Sequence, residues 1–170
     1  MKNKSNLFFC LLFIFFNFSY SVADTKIAYI DLDNIFQKSN HGKKIISKLN
    51  EINNKNISNI KVKENEIIEL DKEVKIKKNL ITENDLNLMI SDLNNKVSDL
   101  KIYRDNLIKN YEESKNNEIK EFFNRINPIL QDYMRKNSID FILDKKNIFI
   151  ATNNNDITDI ILELINNKIK

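Results

Sequence analysis

Glycine, proline, cysteine and histidine occur once each in the 170 residues, and tryptophan is missing altogether. A single Gly leaves no Gly-rich phosphate loop, no dinucleotide fingerprint and few of the tight turns that a β-sandwich needs. One His and one Cys cannot furnish the usual zinc ligand sets, and a Ser/His/Asp triad would depend on His41 alone. Asn (29), Ile (28) and Lys (24) dominate instead. That bias favours Asn and Lys wherever any polar residue will do, so apolar spacing carries more information than polar identity.

The N-terminus speaks to compartment. Lys2 and Lys4 precede the apolar run Leu7 to Phe16, and a more polar stretch ends Ser21-Val22-Ala23. A basic start, about ten apolar residues and small residues before a cut match a secretory signal peptide. A membrane anchor wants ~20 apolar residues, and Asn17 breaks this run. Residues 1–23 are therefore read as a signal peptide, with cleavage between Ala23 and Asp24. The exported chain has 25 basic against 24 acidic residues, once Lys2 and Lys4 leave. Near-neutral charge gives no electrostatic case for nucleic acid. Cys10 leaves as well, so no disulfide can stabilise the exported protein.

Three zones follow. Ile27 to Ile30 reads as a short β-prone strand, after which Asp33 or Asn34 is placed to cap a helical turn burying Ile35 and Phe36. From Gly42 to Lys136 apolar residues recur at heptad spacing. Ile60, Ile67, Val74 and Ile81 lie seven apart, with Ile57 and Leu70 at the intervening position. Leu86, Ile90, Leu93, Val97, Leu100, Leu107 and Tyr111 continue the seam, with Arg104 as its charged member. This 3.5-residue period argues coiled coil over a globular bundle, which would show wider apolar stripes. Thr82, with Asp85 three residues on, carries a helix-start signal. Residues 79–84 are therefore expected to be the tip of an antiparallel hairpin, not the middle of one continuous helix. After Tyr111 the seam slips phase through Ile119, Phe122 and Ile126, and Pro128 lies in the same stretch. A kink is expected there, where the arm enters a globular body.

In the third zone, Asn137 suits a left-handed helix end. Ile139–Asp144 and Asn147–Ala151 then read as two strands of a hairpin turning across Lys145-Lys146. Thr158 is expected to cap a helix reaching about Lys168, stapled by Ile157 and Leu162. The expected fold is α+β. A coiled-coil hairpin arm (42–136) stands on a small β body formed by residues 24–41 and 137–170. Such a body is marginal alone, so copies are expected to associate. Ile27, Tyr29, Phe141, Leu143, Ile148 and Ile150 are the candidate oligomerisation core.

The opening Lys26-Ile27-Ala28-Tyr29-Ile30-Asp31-Leu32-Asp33-Asn34-Ile35-Phe36 resembles the first strand of the Skp (OmpH-like) periplasmic chaperones. Ile139–Asp144, Ile148–Ala151 and Asp156–Thr158 resemble that family's closing strands and helix. The resemblance covers the whole mature chain. It implies a jellyfish-shaped homotrimer with a central β-barrel and three arms around a cavity. It further implies an ATP-independent periplasmic holdase for unfolded outer-membrane proteins. Pro128 and Asn137-Ser138 depart from the family pattern. The family's lipopolysaccharide binding is not carried over, since Tyr103-Arg104 and Glu112-Glu113-Ser114-Lys115 lack a basic cluster.

Other readings are weaker. Asp31-Leu32-Asp33 imitates the nucleophile loop of haloacid-dehalogenase-type phosphatases. That chemistry needs a parallel sheet where the coiled coil stands, so a strand-end turn is preferred. Asn153-Asn154-Asn155-Asp156 with Asp159 hints at calcium but lacks the EF-hand Gly and terminal Glu. His41 reads as a polar residue where the arm begins. No cofactor, metal or catalytic residue is expected. The rival from another class is a coiled-coil envelope spacer, which would share the arm but has no need of the strands. Seam residues are assigned to packing, so no client-contacting residue is named.

Overall fold

The computed structural model describes residues 25–169. Residues 1–23, read above as a signal peptide, and the expected Ala23–Asp24 cleavage junction lie outside the described residues. The chain runs through β1 (Ile27–Ile30), α1 (Leu32–Lys38), α2 (Asn40–Lys77), α3 (Glu83–Asn137), β2 (Phe141–Asp144) and α4 (Thr158–Lys168). Helices α2 and α3 have 38 and 55 residues, or about 57 and 83 Å at 1.5 Å per residue. They form the hairpin that the heptad spacing predicts. At its tip the Thr82 hydroxyl accepts from the Asp85 amide at 3.2 Å, the cap expected there. Helix α3 outlasts the arm. It runs unbroken through Pro128, and its last turns contribute Phe122, Ile126 and Ile129 to the body core.

Three caps differ in place from the sequence reading. Asp31, not Asp33 or Asn34, caps α1, its carboxylate accepting from the Asn34 amide at 2.8 Å. Ile35 is fully buried as expected, and Phe36 is half-buried. Thr158 is the first residue of α4, and Asp156 accepts from both its amide and its hydroxyl. The Thr158 hydroxyl also accepts from the Asp31 amide at 2.9 Å, tying α4 to the end of β1. The left-handed residue closing α3 is Ser138 (φ 52°, ψ 44°), one position beyond Asn137. Asp, Asn, Ser and Thr offer similar acceptors, so composition fixes these ends only to within a residue or two.

The larger correction concerns the sheet. The expected hairpin across Lys145-Lys146 is absent. β2 pairs with β1 in parallel, in the register Ile27↔Phe141 to Ile30↔Asp144. Lys145–Asn147 instead forms a 3₁₀ turn, with Asp144 accepting from the Lys146 amide, and residues 148–151 are not a strand. Parallel strands need a long crossover, and here the whole arm supplies it. The chain then returns along the other edge of β1, where the Ile157 amide donates to the Tyr29 carbonyl at 3.0 Å. β1 is thus central, and the outer edge of β2 has no strand partner among the described residues.

The core sits where α1, the root of α2, the last third of α3 and α4 cover one face of this sheet. Ile35, Phe122, Ile126, Ile161 and Ile165 are fully enclosed. The lone Gly marks the tightest approach. Ser39 ends α1 and caps α2, its hydroxyl accepting from the Gly42 amide at 3.1 Å. At this elbow a Cβ on Gly42 would lie 1.8 Å from the Phe36 carbonyl oxygen. No side chain fits there.

Candidate functional site

Two surfaces stand out, one on the body and one along the arm. On the body, alternation along β1 and β2 places Ile27, Tyr29, Phe141 and Leu143 on one face of the sheet. Ile27, Phe141 and Leu143 are exposed. Tyr29 is buried within its own chain: its hydroxyl donates to the Thr152 carbonyl at 3.1 Å, and the Lys145 ammonium lies over its ring. Ile148 is half-buried, whereas Ile150 is 83% exposed. Phe149, which strict alternation would turn the other way, is 98% exposed. Strand alternation missed it because this segment is not a strand. Beside the β2 edge lies a groove of about 400 Å³, with Leu32, Phe123, Leu130, Met134 and Ile142 among its lining residues.

Charge pairs fix the chain around this surface. Lys145 bonds Asp156 at 2.9 Å, which raises the lysine pKa. Burial works against the Asp156 carboxylate, but bonds from Thr158 and Lys145 outweigh it and leave the pKa lowered. Asp132 on α3 accepts from Lys136 and from Lys168 of α4, and these bonds hold its pKa at about 2. Asp31 and Asp33, the imitation of a phosphatase loop, are respectively a helix cap and an exposed residue of α1. No group of His, Cys, Asp and Glu is placed to hold a metal ion among the described residues. His41 is more than a polar residue at the arm's start. Its ring stacks on Phe122, centroids 6.1 Å apart and planes within 11°.

Along the arm the seam is narrower than heptad counting implies. Leu100 is buried, and Ile60, Ile67, Leu70, Val74, Ile81, Leu86, Leu93, Leu107 and Tyr111 are half-buried. Ile57, Ile90 and Val97, read as seam members, are exposed, and Asn56 and Met89 take the inward positions beside two of them. A seven-residue spacing holds for any stripe of a helix, so it cannot separate a seam from its flank. Arg104 is also outside the seam and pairs with Glu64 across the two helices.

The Ile67–Leu100 contact separates two unlike grooves. One, about 530 Å³, is lined by Glu64, Ile68, Val97, Lys101 and Arg104 besides the seam pair. The opposite one, about 100 Å³, is lined by Lys63, Glu66, Lys96 and Asp99. The larger groove thus sets exposed aliphatic side chains, Ile68 and Val97, among its charges, whereas the smaller one adds only charged residues to the seam pair.

Comparison with known proteins is consistent with this architecture. Among curated proteins, none matches this sequence. A crystal structure of a proposed outer membrane chaperone (OmpH-like) from Caulobacter crescentus superposes with a TM-score of 0.79. It is 17% identical, and the match covers 86% of each chain. The model of one family, described as outer membrane protein (OmpH-like), matches residues 26–165. That stretch takes in both strands, the hairpin and most of α4, and the chain belongs to the OmpH-like family.

Proposed function

We propose that this protein is an ATP-independent holdase of the periplasm, keeping unfolded outer-membrane β-barrel proteins from aggregating before assembly. In this reading the chain is exported by residues 1–23 and acts as a homotrimer. Sister copies meet through the sheet face of Ile27, Phe141 and Leu143, the free edge of β2 and the segment Ile148–Ile150. Their arms then stand around a common cavity.

The observation that carries this reading is the uncovered apolar surface at the foot of the arm. Phe149 and Ile150 lie almost wholly in water a few residues beyond β2, whose outer edge has no strand partner among the described residues. Exposed apolar residues next to a free edge are an association hazard unless another chain covers them. A second copy of the same body supplies both a strand and an apolar face. Family membership and the Caulobacter chaperone fold support the client side of the reading.

The test is a pair of measurements on the mature protein. Sedimentation should give a trimer that binds a urea-unfolded outer-membrane β-barrel protein on dilution. Light scattering should show suppressed client aggregation at stoichiometric amounts without nucleotide. A folded monomer at working concentration, or undiminished scattering, would end the proposal.

A further inference from the structure

The aliphatic residues on the flank of the larger groove are not scattered. Ile46, Ile57 and Ile68 on α2 are eleven residues apart, and so are Val97, Ile108 and Ile119 on α3. Eleven residues make three turns plus about 20° in an α-helix, so each set stays on one side of its helix. Ion pairs Lys48–Glu118 and Glu64–Arg104 fix the antiparallel register. That register sets Ile46 near Ile119, Ile57 near Ile108, and Ile68 near Val97. The result is a ladder of three aliphatic rungs, about 16.5 Å apart at 1.5 Å per residue. The inner rung, near the body, is half-buried, while the outer two are 49–63% exposed. Val62, Ile76, Leu88 and Ile102 are also exposed, but lie about a third to nearly half a turn from the seam in the opposite direction from the ladder.

Resting on the holdase reading above, we infer that this ladder is the client-contacting wall of the arm, and that its occupant is an extended unfolded chain. The spacing excludes a folded helical partner. A third helix would need apolar contacts every three or four residues, whereas the ladder offers one rung per eleven. Between rungs stand Lys61, Glu64, Lys101 and Arg104, groups of both signs that can meet exposed peptide backbone without selecting a charge. An extended segment of ~10 residues, the length of a membrane-spanning β-strand, reaches ~33 Å. That is the distance from the first rung to the third. Each rung is a weak site, and linked weak sites hold by avidity without demanding one sequence.

The experiment compares two double variants of the full mature protein, Ile57→Asn with Ile108→Asn on the ladder and Val62→Asn with Ile102→Asn on the side of the seam away from it. The readout is the amount needed to halve aggregation of a urea-diluted outer-membrane β-barrel protein. The ladder variant should need roughly tenfold more, as expected for a multivalent set losing one contact, and the control should match the native protein. A second measurement does not depend on either variant folding. A fluorophore on Lys101→Cys should respond to client, and one on Asp99→Cys, across the seam, should not. Equal behaviour of the two flanks overturns the inference while leaving the holdase reading intact. A native protein that fails to suppress aggregation overturns the holdase reading instead. Ladder variants that change oligomeric mass would mean that a sister copy occupies the flank, which also overturns the inference.

Discussion

In the body, five apolar side chains are enclosed completely: Ile35, Phe122, Ile126, Ile161 and Ile165. Along the arm, from Ile52 to Tyr111, only Leu100 is buried. The residue types are the same in both regions, so the difference is one of geometry. Several elements surround the body core, whereas two helices alone can cover a side chain on one side only. The arm therefore leans on its root for stability and leaves aliphatic surface in water. A chaperone arm needs that combination, and a folding core has to avoid it.

Truncation on each side of this divide sharpens the comparison. Phe122→Ala, in a fully enclosed site with Phe36 edge-on at 4.9 Å, should cost about 3–5 kcal/mol. Leu100→Ala, where the arm can collapse around the gap, should cost about 2 kcal/mol, the low end for such changes. Urea unfolding gives the first value. Hydrogen exchange should show the second as local opening of the arm, with amides at the Phe122 end still protected. Equal losses at both sites would erase the distinction between body and arm.

Between those two values falls the elbow that joins the two regions. Gly42→Ala puts a methyl group 1.8 Å from a backbone oxygen. No rotamer relieves that clash, so a loss of about 3 kcal/mol is expected, the upper end for overpacking. The measurement is a urea midpoint against native protein. A neutral outcome would show that α1 and α2 can part at Ser39 without harm.

Smaller, and of opposite sign, is Ser138→Gly. Ser138 holds a left-handed conformation at φ 52° where α3 leaves the body. Glycine adopts this region freely, and the relief should raise stability by about 1 kcal/mol. A rise in thermal midpoint without change in helicity would confirm it.

Which of these features the sequence could announce depends on range. The arm was legible because its signal repeats: Ile60, Ile67 and Val74 report one stripe, and Thr82 with Asp85 reports the turn. The body was less so. The partner of Phe141 is Ile27, 114 residues away, and nothing local to Lys145-Lys146 distinguishes a hairpin from a 3₁₀ turn leading off the sheet. Of the candidate surface residues, Ile27, Phe141 and Leu143 do share an exposed face. Tyr29 is taken into its own chain by Thr152 and Lys145, contacts set by a loop the sequence left undefined. Phe149 escaped notice for the same reason. One missed signal was available: the only Gly in 170 residues sits where two helices leave no room for a Cβ.

The smallest expected effect tests the junction of arm and body through pH. His41 stacks on Phe122 between α2 and α3, and its pKa is lowered from 6.5, first by burial and then by Arg125 and Lys44, with Glu118 opposing. The unfolded chain therefore takes up this proton before the folded one does. Stability is full above about pH 6.5 and falls as pH drops toward the lowered folded value, below which it is flat. The carboxylates act lower. Asp132, held at about 2, and Asp156, also lowered, keep their contributions above the ordinary value of 3.8 and lose them in stronger acid. Urea midpoints at pH 7, 6 and 5 isolate the histidine. The native protein should weaken across that range, and His41→Gln should flatten the profile. Glu118→Gln, which removes the one opposing charge, should steepen it. A histidine that merely filled space at the joint would leave all three slopes alike.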